Sequence, residues 1–142
     1  MTRIKYTSQH VQTIAFFEAL TRARLKDCID EETTGITYFV VEQNELGRAL
    51  GKNAENVKRI EEKLNRKIKI VEFDPHLVNF VANLCYPVRP RNVEENGEIV
   101  TITPPDMSGR SLIIGRGAIN LRAMEKVASR YFQVKEIKVT HV

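Results

Sequence analysis

The sequence predicts an α+β protein made of two small units of one kind, each a three-stranded sheet with helices on one face. Three observations predict it. A short pattern occurs twice: Leu50-Gly51-Lys52-Asn53-Ala54-Glu55-Asn56-Val57-Lys58 returns as Ile114-Gly115-Arg116-Gly117-Ala118-Ile119-Asn120-Leu121-Arg122. The lead glycines lie 64 positions apart, about the length of one small structural unit. Around each copy, segments of helical and of strand-like periodicity follow in the same order. The units are therefore expected at residues 1–73 and 74–142, and Phe73-Asp74-Pro75, with no Gly/Ser-rich spacer, reads as a stiff junction.

The elements follow in order. Gln9 to Arg22 carries an apolar stripe of Val11, Ile14, Ala15 and Phe17, with Ser8 as candidate N-cap. A strand is expected over Ala23 to Ile29, then an acidic, Thr-rich turn ending at Gly35. Ile36-Thr37-Tyr38-Phe39-Val40-Val41 is β-branched and aromatic and reads as a strand. A short helix over Glu45 to Leu50 precedes the Gly51 loop. A second runs from Ala54 to Asn65 with Val57, Ile60 and Leu64 on one face, and Ile68 to Phe73 closes the unit as a strand.

In the second half, Asp74-Pro75 reads as a helix start, since proline suits the first helical position. Leu77, Val78, Phe80, Val81 and Leu84 form the helical face, and Pro87 ends it. A short edge strand is expected over Val88 to Val93, where Pro90 forbids a central place. Asn96-Gly97 signals a hairpin, and Glu98 to Thr103 the next strand. Pro104-Pro105 breaks it; Asp106 or Ser108 caps a short helix ending at Ile114. A helix over Ala118 to Tyr131 and a strand over Val134 to Val142 complete the order.

Composition narrows the function classes. The net charge is +4, and each half contributes +2: 13 Lys+Arg against 11 Asp+Glu in residues 1–73, and 9 against 7 in 74–142. There is no basic tail, so a polyanion site has to come from charges placed on one face. Cys28 and Cys85 stand far apart, with neither a disulfide framework nor zinc spacing. No apolar h-region follows Met1 and no 18-residue apolar run exists, so a cytoplasmic protein without membrane contact is expected. His10, His76 and His141 are scattered, and carboxylates such as Glu61 and Glu62 read as solvated helix surface. No catalytic residue, metal site or cofactor is expected.

The repeated pattern carries the chemistry. Gly51 and Gly115 let the chain turn sharply between two helices and let another backbone come close. The following helix then offers unpaired N–H groups and a positive dipole end, and Lys52 or Arg116 adds a full charge at the tip. That combination suits phosphate. Competing motifs fail. Gly47 to Asn53 has three residues between its glycines, where a P-loop needs four, and ends in Asn. Gly115-Arg116-Gly117 lacks the third glycine of a dinucleotide fingerprint, Asn120 standing there. A sheet-face RNA platform needs exposed strand aromatics; Tyr38 and Phe39 are adjacent, so one of them faces the core.

A helix, loop and helix with Gly-x-x-Gly at the tip, in this strand order, resembles the KH domain in its type II arrangement. The junction Ile70-Val71-Glu72-Phe73-Asp74-Pro75 followed by Phe80-Val81-Ala82-Asn83-Leu84-Cys85-Tyr86-Pro87 is similar to that of NusA-family transcription factors, in the archaeal form with two tandem type II KH domains and little else. The resemblance spans almost the whole chain. It implies binding of single-stranded RNA, the nascent transcript, in transcription termination or antitermination, with RNA polymerase as a further partner. Carried over by position, the RNA-binding residues are Gly51, Lys52, Asn53, Ala54, Asn56 and Lys58, and Gly115, Arg116, Gly117, Ala118, Asn120 and Arg122. Arg48 and Arg110 are weaker candidates. One departure stands out: the fourth loop position is Ala54 and Ala118, where the family has Gly. Alanine suits helical backbone, so the next helix should start normally.

Two other readings remain open. An adaptor could dock on RNA polymerase or the ribosome with little direct RNA contact, in keeping with the modest charge and the missing fourth glycines. A DNA-binding helix-turn-helix would place the helix after Ala54 or Ala118 in the major groove, but Glu55, Glu61 and Glu62 make the first of these acidic.

Overall fold

In the computed structural model, which describes residues 8–142, the chain divides between Phe73 and Asp74 into two units with one element order. The first unit runs α1 (Ser8–Thr21), β1 (Leu25–Glu31), β2 (Ile36–Val41), α2 (Leu46–Leu50), a 3₁₀ turn over Lys52–Ala54, α3 (Glu55–Leu64) and β3 (Ile68–Glu72). The second runs α4 (Leu77–Leu84), β4 (Asn92–Asn96), β5 (Ile99–Thr103), α5 (Met107–Ile114), a 3₁₀ turn over Arg116–Ala118, α6 (Ile119–Ser129) and β6 (Glu136–Val139). The sheets are ordered β1-β2-β3 and β4-β5-β6, with the first pair antiparallel and the second parallel in each. The chain is thus α+β with two three-stranded sheets.

The first core is built on β2. Phe39 and Val41 meet Phe17 of α1, Ala49 of α2, Ile60 of α3 and Ile68 and Ile70 of β3, and the Phe17 and Phe39 rings stack 4.5 Å apart. Residues of the opposite parity, Tyr38, Val40 and Val71, are buried as well. Both neighbours Tyr38 and Phe39 are therefore inside, not one of the two, and burial pushes the Tyr38 phenol up to about 12. In the second unit β5 alternates cleanly: Val100 and Ile102 are buried while Ile99, Thr101 and Thr103 are half-exposed. Phe80 of α4 packs edge-on against Tyr131, ring centroids 5.5 Å apart.

Several boundaries differ from expectation for local reasons. β1 starts two residues later, at Leu25, and runs on to Glu31, whose buried carboxylate takes the N–H and hydroxyl groups of both Thr33 and Thr34 and so closes the turn. Pro75 is not the first helical residue. Asp74 Oδ1 accepts the His76 N–H at 2.8 Å, and α4 begins only after His76. β4 lies at Asn92–Asn96 rather than 88–93, because it pairs residue for residue back from the turn. The central turn residues are Gly97 and Glu98, with Asn96 opposite Ile99 and Gly97 at φ 64°. Glycine at the first central position is the type II′ requirement. β6 is four residues long, because β5 offers partners only from Ile99 to Ile102.

Candidate nucleic-acid interface

Both copies of the repeat are helical hairpins with the same backbone. Gly51 has φ 73°, ψ −177° and Gly115 φ 74°, ψ 174°, a region that only glycine enters freely. The next basic residue heads the 3₁₀ turn. Two consecutive residues then take the left-handed conformation: Asn53 (55°, 32°) and Ala54 (55°, 30°), Gly117 (62°, 27°) and Ala118 (62°, 23°). In each, the fourth residue's N–H returns to the lead glycine carbonyl, both at 3.2 Å.

This corrects one expectation. Ala54 and Ala118 are not in helical conformation; each sits left-handed at the N-cap, and α3 and α6 start one residue later. A left-handed L-residue brings Cβ too near the following carbonyl, at a cost of about 1–2 kcal/mol. A fourth glycine would remove it.

Asn56 and Asn120 each hold their own hairpin together. The Asn56 amide donates to the Ala49 carbonyl at 3.1 Å and the Asn120 amide to the Leu112 carbonyl at 3.1 Å. Each thus ties the second helix of its hairpin to the end of the first. The clamp passes directly over the lead glycine: a Cβ on Gly51 would lie 2.8 Å from Asn56 Nδ2, and one on Gly115 2.6 Å from Asn120 Nδ2. Gly at the first position and Asn five residues later are one device, and it explains why the two recur together.

The remaining site residues face solvent. Lys52, Asn53, Arg116 and Gly117 are exposed at the tips, and neither the Lys52 nor the Arg116 side chain has an ion pair or hydrogen bond among the described residues. No side chain caps the start of α3 or α6, so the positive helix ends stay open toward the tips. Lys58 is exposed on α3, whereas its counterpart Arg122 binds Glu125 at 2.5 Å. Arg48 reaches Glu45 at 3.6 Å and the Arg22 carbonyl at 3.4 Å; Arg110 holds the Thr140 carbonyl at 3.0 Å. Both are therefore occupied inside their own units.

Three features escaped the sequence reading. Glu61 is not solvated surface: its carboxylate accepts the Ile68 N–H at 3.1 Å, and Glu125 does the same for Ile137 at 2.8 Å. Each glutamate stands ten residues after its lead glycine, so a longer reading of the repeat contains the signal. Leu112, 61% exposed, lies on α5 three residues before Gly115 and gives the second hairpin an apolar surface. His10 pairs with Asp30 at 2.9 Å, a partner twenty residues away that spacing hides. Thr37 gives its hydroxyl to Asp30, not to His10, so the trio lacks the nucleophile–base contact of a catalytic triad. Burial raises the Asp30 pKa, but hydrogen bonds from Thr37 and His10 and the nearby Arg66 outweigh it, and the carboxyl sits below its ordinary range. Among the described residues no His, Cys, Asp or Glu group is placed to hold a metal ion, and no helix is long and apolar enough to cross a membrane.

Comparison with known proteins bears on this geometry. A KH domain family model matches residues 12–81, which span the whole first hairpin. The chain is 30% identical to the "Probable transcription termination protein NusA" of Methanococcus vannielii, over 96% of this chain and 80% of that one. The protein of the same name from Halobacterium salinarum is 30% identical, over 96% and 99%. The chain belongs to the archaeal NusA-like KH proteins. The family consists of binding factors, not enzymes. The crystal structure of APE1850 superimposes with a TM-score of 0.74 at 27% identity, covering 95% of this chain and all of that one.

Proposed function

We propose that both units are type II KH domains, residues 1–73 and 74–142, and that the chain binds single-stranded RNA with its backbone held at the two Gly-basic-x-Ala loops. The observation that carries this reading is the duplicated hairpin. Each copy sets an unpaired basic side chain at an exposed tip, in front of a helix start that no side chain caps. Such a tip fits a phosphate by its side-chain charge and by the positive end of the helix dipole together. KH loops clamp about four nucleotides of backbone. Tyr38, at 2% exposure, leaves no stacking platform on the first sheet, which favours the loops over a sheet-face mode. Leu112 supports base contacts beside the second loop.

The relatives' name, a probable transcription termination protein, supports the setting that goes with this reading: a cytoplasmic factor in transcription termination or antitermination, acting on the nascent transcript and working alongside RNA polymerase. The test is binding of a fluorescent single-stranded RNA, with DNA and duplex controls, across a salt series. Lys52→Asp with Asn53→Asp, and Arg116→Asp with Gly117→Asp, remove one loop each. Aspartate suits Asn53 and Gly117, the left-handed members of the two pairs, because it tolerates that backbone better than most residues. Loss of RNA preference in either variant supports a loop clamp, and each lost phosphate contact lowers the salt slope by about 0.7. Equal binding by wild type and both variants, or none by the wild type, sinks the reading in favour of a protein-docking adaptor.

A further inference from the structure

The outer face of α3 holds a group that the loop clamp does not use. An open depression of about 520 Å³ is lined by Lys58, Glu61, Glu62, Asn65, Arg66 and Lys67. Arg66 lies between this depression and the Asp30 side of the unit, and its Nε and Nη2 are shielded from solvent and have no hydrogen-bond partner among the described residues. These two nitrogens form the side edge of the guanidinium, the fork that matches two oxygens of one phosphate or carboxylate. Asp30 feels the Arg66 charge and accepts from Thr37 at 2.7 Å and His10 at 2.9 Å, but it makes no hydrogen bond to these two nitrogens. Unpartnered buried donors cost free energy until an acceptor arrives.

We infer that the RNA strand gripped at the first loop runs on along α3 to a second phosphate station formed by Lys58, Arg66 and Lys67. The inference rests on the RNA-binding reading above and extends its footprint. The charges favour an anion there. The depression is lined by three cations, Lys58, Arg66 and Lys67, against two carboxylates, Glu61 and Glu62, of which Glu61 also accepts the Ile68 N–H, while Asp30 feels the Arg66 charge from beyond that lining. Lys58 and Lys67 are exposed, and Lys58 has no ion pair among the described residues. The Arg66 backbone is held by its N–H bond to the Glu61 carbonyl at 3.3 Å, just past the left-handed Asn65 that closes α3. The distance suits a continuing strand: the ten residues of α3 span about 15 Å, roughly four stacked nucleotides at about 3.4 Å each.

The experiment compares two RNAs, one of about four nucleotides that fills only the loop clamp and one roughly twice as long. The proteins are the wild type, Lys67→Gln, Arg66→Gln with Lys67→Gln, and Arg66→Lys. On the long RNA the double variant should lose about 1.4 from the salt slope and Lys67→Gln about 0.7, at about 0.7 per phosphate contact. Arg66→Lys should bind more weakly than wild type while keeping its slope, since charge remains and the fork is lost. Short-RNA binding should not change. Lys67→Gln changes an exposed residue, so it reads the station even if the Arg66 variants fold poorly. Wild-type slopes for all variants on the long RNA overturn the station while leaving the loop clamp standing. Failure of the wild type to bind either RNA overturns both.

Discussion

The two hairpins share a backbone and differ in nearly everything attached to it. Their lead glycines agree within about ten degrees, and both place two left-handed residues before the second helix. Yet α2 is five residues long without a side-chain cap, while α5 is eight long and capped by Asp106, which accepts the Gly109 N–H at 2.6 Å. The first tip carries Lys52-Asn53 and leaves Lys58 unpaired; the second carries Arg116-Gly117 and ties Arg122 to Glu125. The shared part is set by a glycine, an asparagine clamp and a glutamate holding the next strand. What that frame presents to a ligand is free to change.

The largest expected effect breaks the shared frame. Gly51→Ala and Gly115→Ala force a side chain into a backbone region that costs about 1–3 kcal/mol. Each also pushes against the asparagine clamp, whose hydrogen bond contributes about 1 kcal/mol. Urea titration should show a loss of about 3 kcal/mol for either variant. Gly115→Ala should be the worse, because its Cβ would also lie 2.7 Å from Asn120 Cγ, nearer the rigid part of that side chain. A loss below about 1 kcal/mol in both would mean that the glycines serve close approach of RNA rather than folding.

How much of this was legible in the sequence varied with the kind of interaction. The apolar run of β2, the lead glycines and the Asp106 cap could be read because each acts locally. The holding roles of Asn56 and Glu61 were not legible because their partners, the Ala49 carbonyl and the Ile68 N–H, are backbone groups whose availability depends on how two helices cross and where a strand begins. The second repeat could have exposed them, since neither is needed at that spacing by helix propensity. The left-handed Ala54 and Ala118 were misread for another reason. Alanine's propensity is a weak prior that tertiary context overrides, and the hairpin closes only if its fourth residue turns left. β4 lacks any apolar alternation, so pairing across Gly97–Glu98 alone fixed its position.

The next effect isolates the clamp. Asn56→Ala and Asn120→Ala each remove a donor to a helix-end carbonyl and should cost about 1 kcal/mol in the same titration. RNA affinity should fall only as far as the hairpin loosens. A strong loss of affinity with unchanged stability would restore these asparagines to the ligand-facing set.

Relieving the strained alanines should act with the opposite sign. Ala54→Gly and Ala118→Gly each recover about 1–2 kcal/mol of left-handed strain and give back about 0.5–1 kcal/mol to the greater freedom of the unfolded chain. A net gain of about 0.5–1 kcal/mol is expected in both units. Asn53→Gly should gain less, since asparagine visits this conformation readily.

The unpaired and paired cations sharpen the contrast between the units. Arg122→Ala should cost about 0.5 kcal/mol, falling with added salt, because an exposed ion pair is screened. Lys58→Ala should leave stability unchanged and weaken RNA binding. If Arg122→Ala proves the more damaging of the two to RNA affinity, the pairing with Glu125 is not what governs its use.

The smallest effect concerns acid. Asp30 belongs to the first unit, with its pKa held below the ordinary 3.8 by Thr37, His10 and Arg66 against the pull of burial. Its position in the repeat corresponds to exposed Glu94, which accepts from the Asn92 amide at 2.8 Å and has no other hydrogen bond or ion pair among the described residues. A depressed folded-state pKa means that the unfolded chain takes the proton first. The stabilisation is therefore complete above the unfolded value and fades as pH falls through the folded one. Asp30→Asn should flatten the acid side of the stability curve below about pH 4, near the unfolded aspartate value, with the change confined to the unfolding of the first unit. Tryptophan is absent from the chain, so backbone amide exchange, resolved by unit across a pH series, is the measurement that separates the two. An equal flattening in residues 74–142 would show that the units do not respond to acid separately.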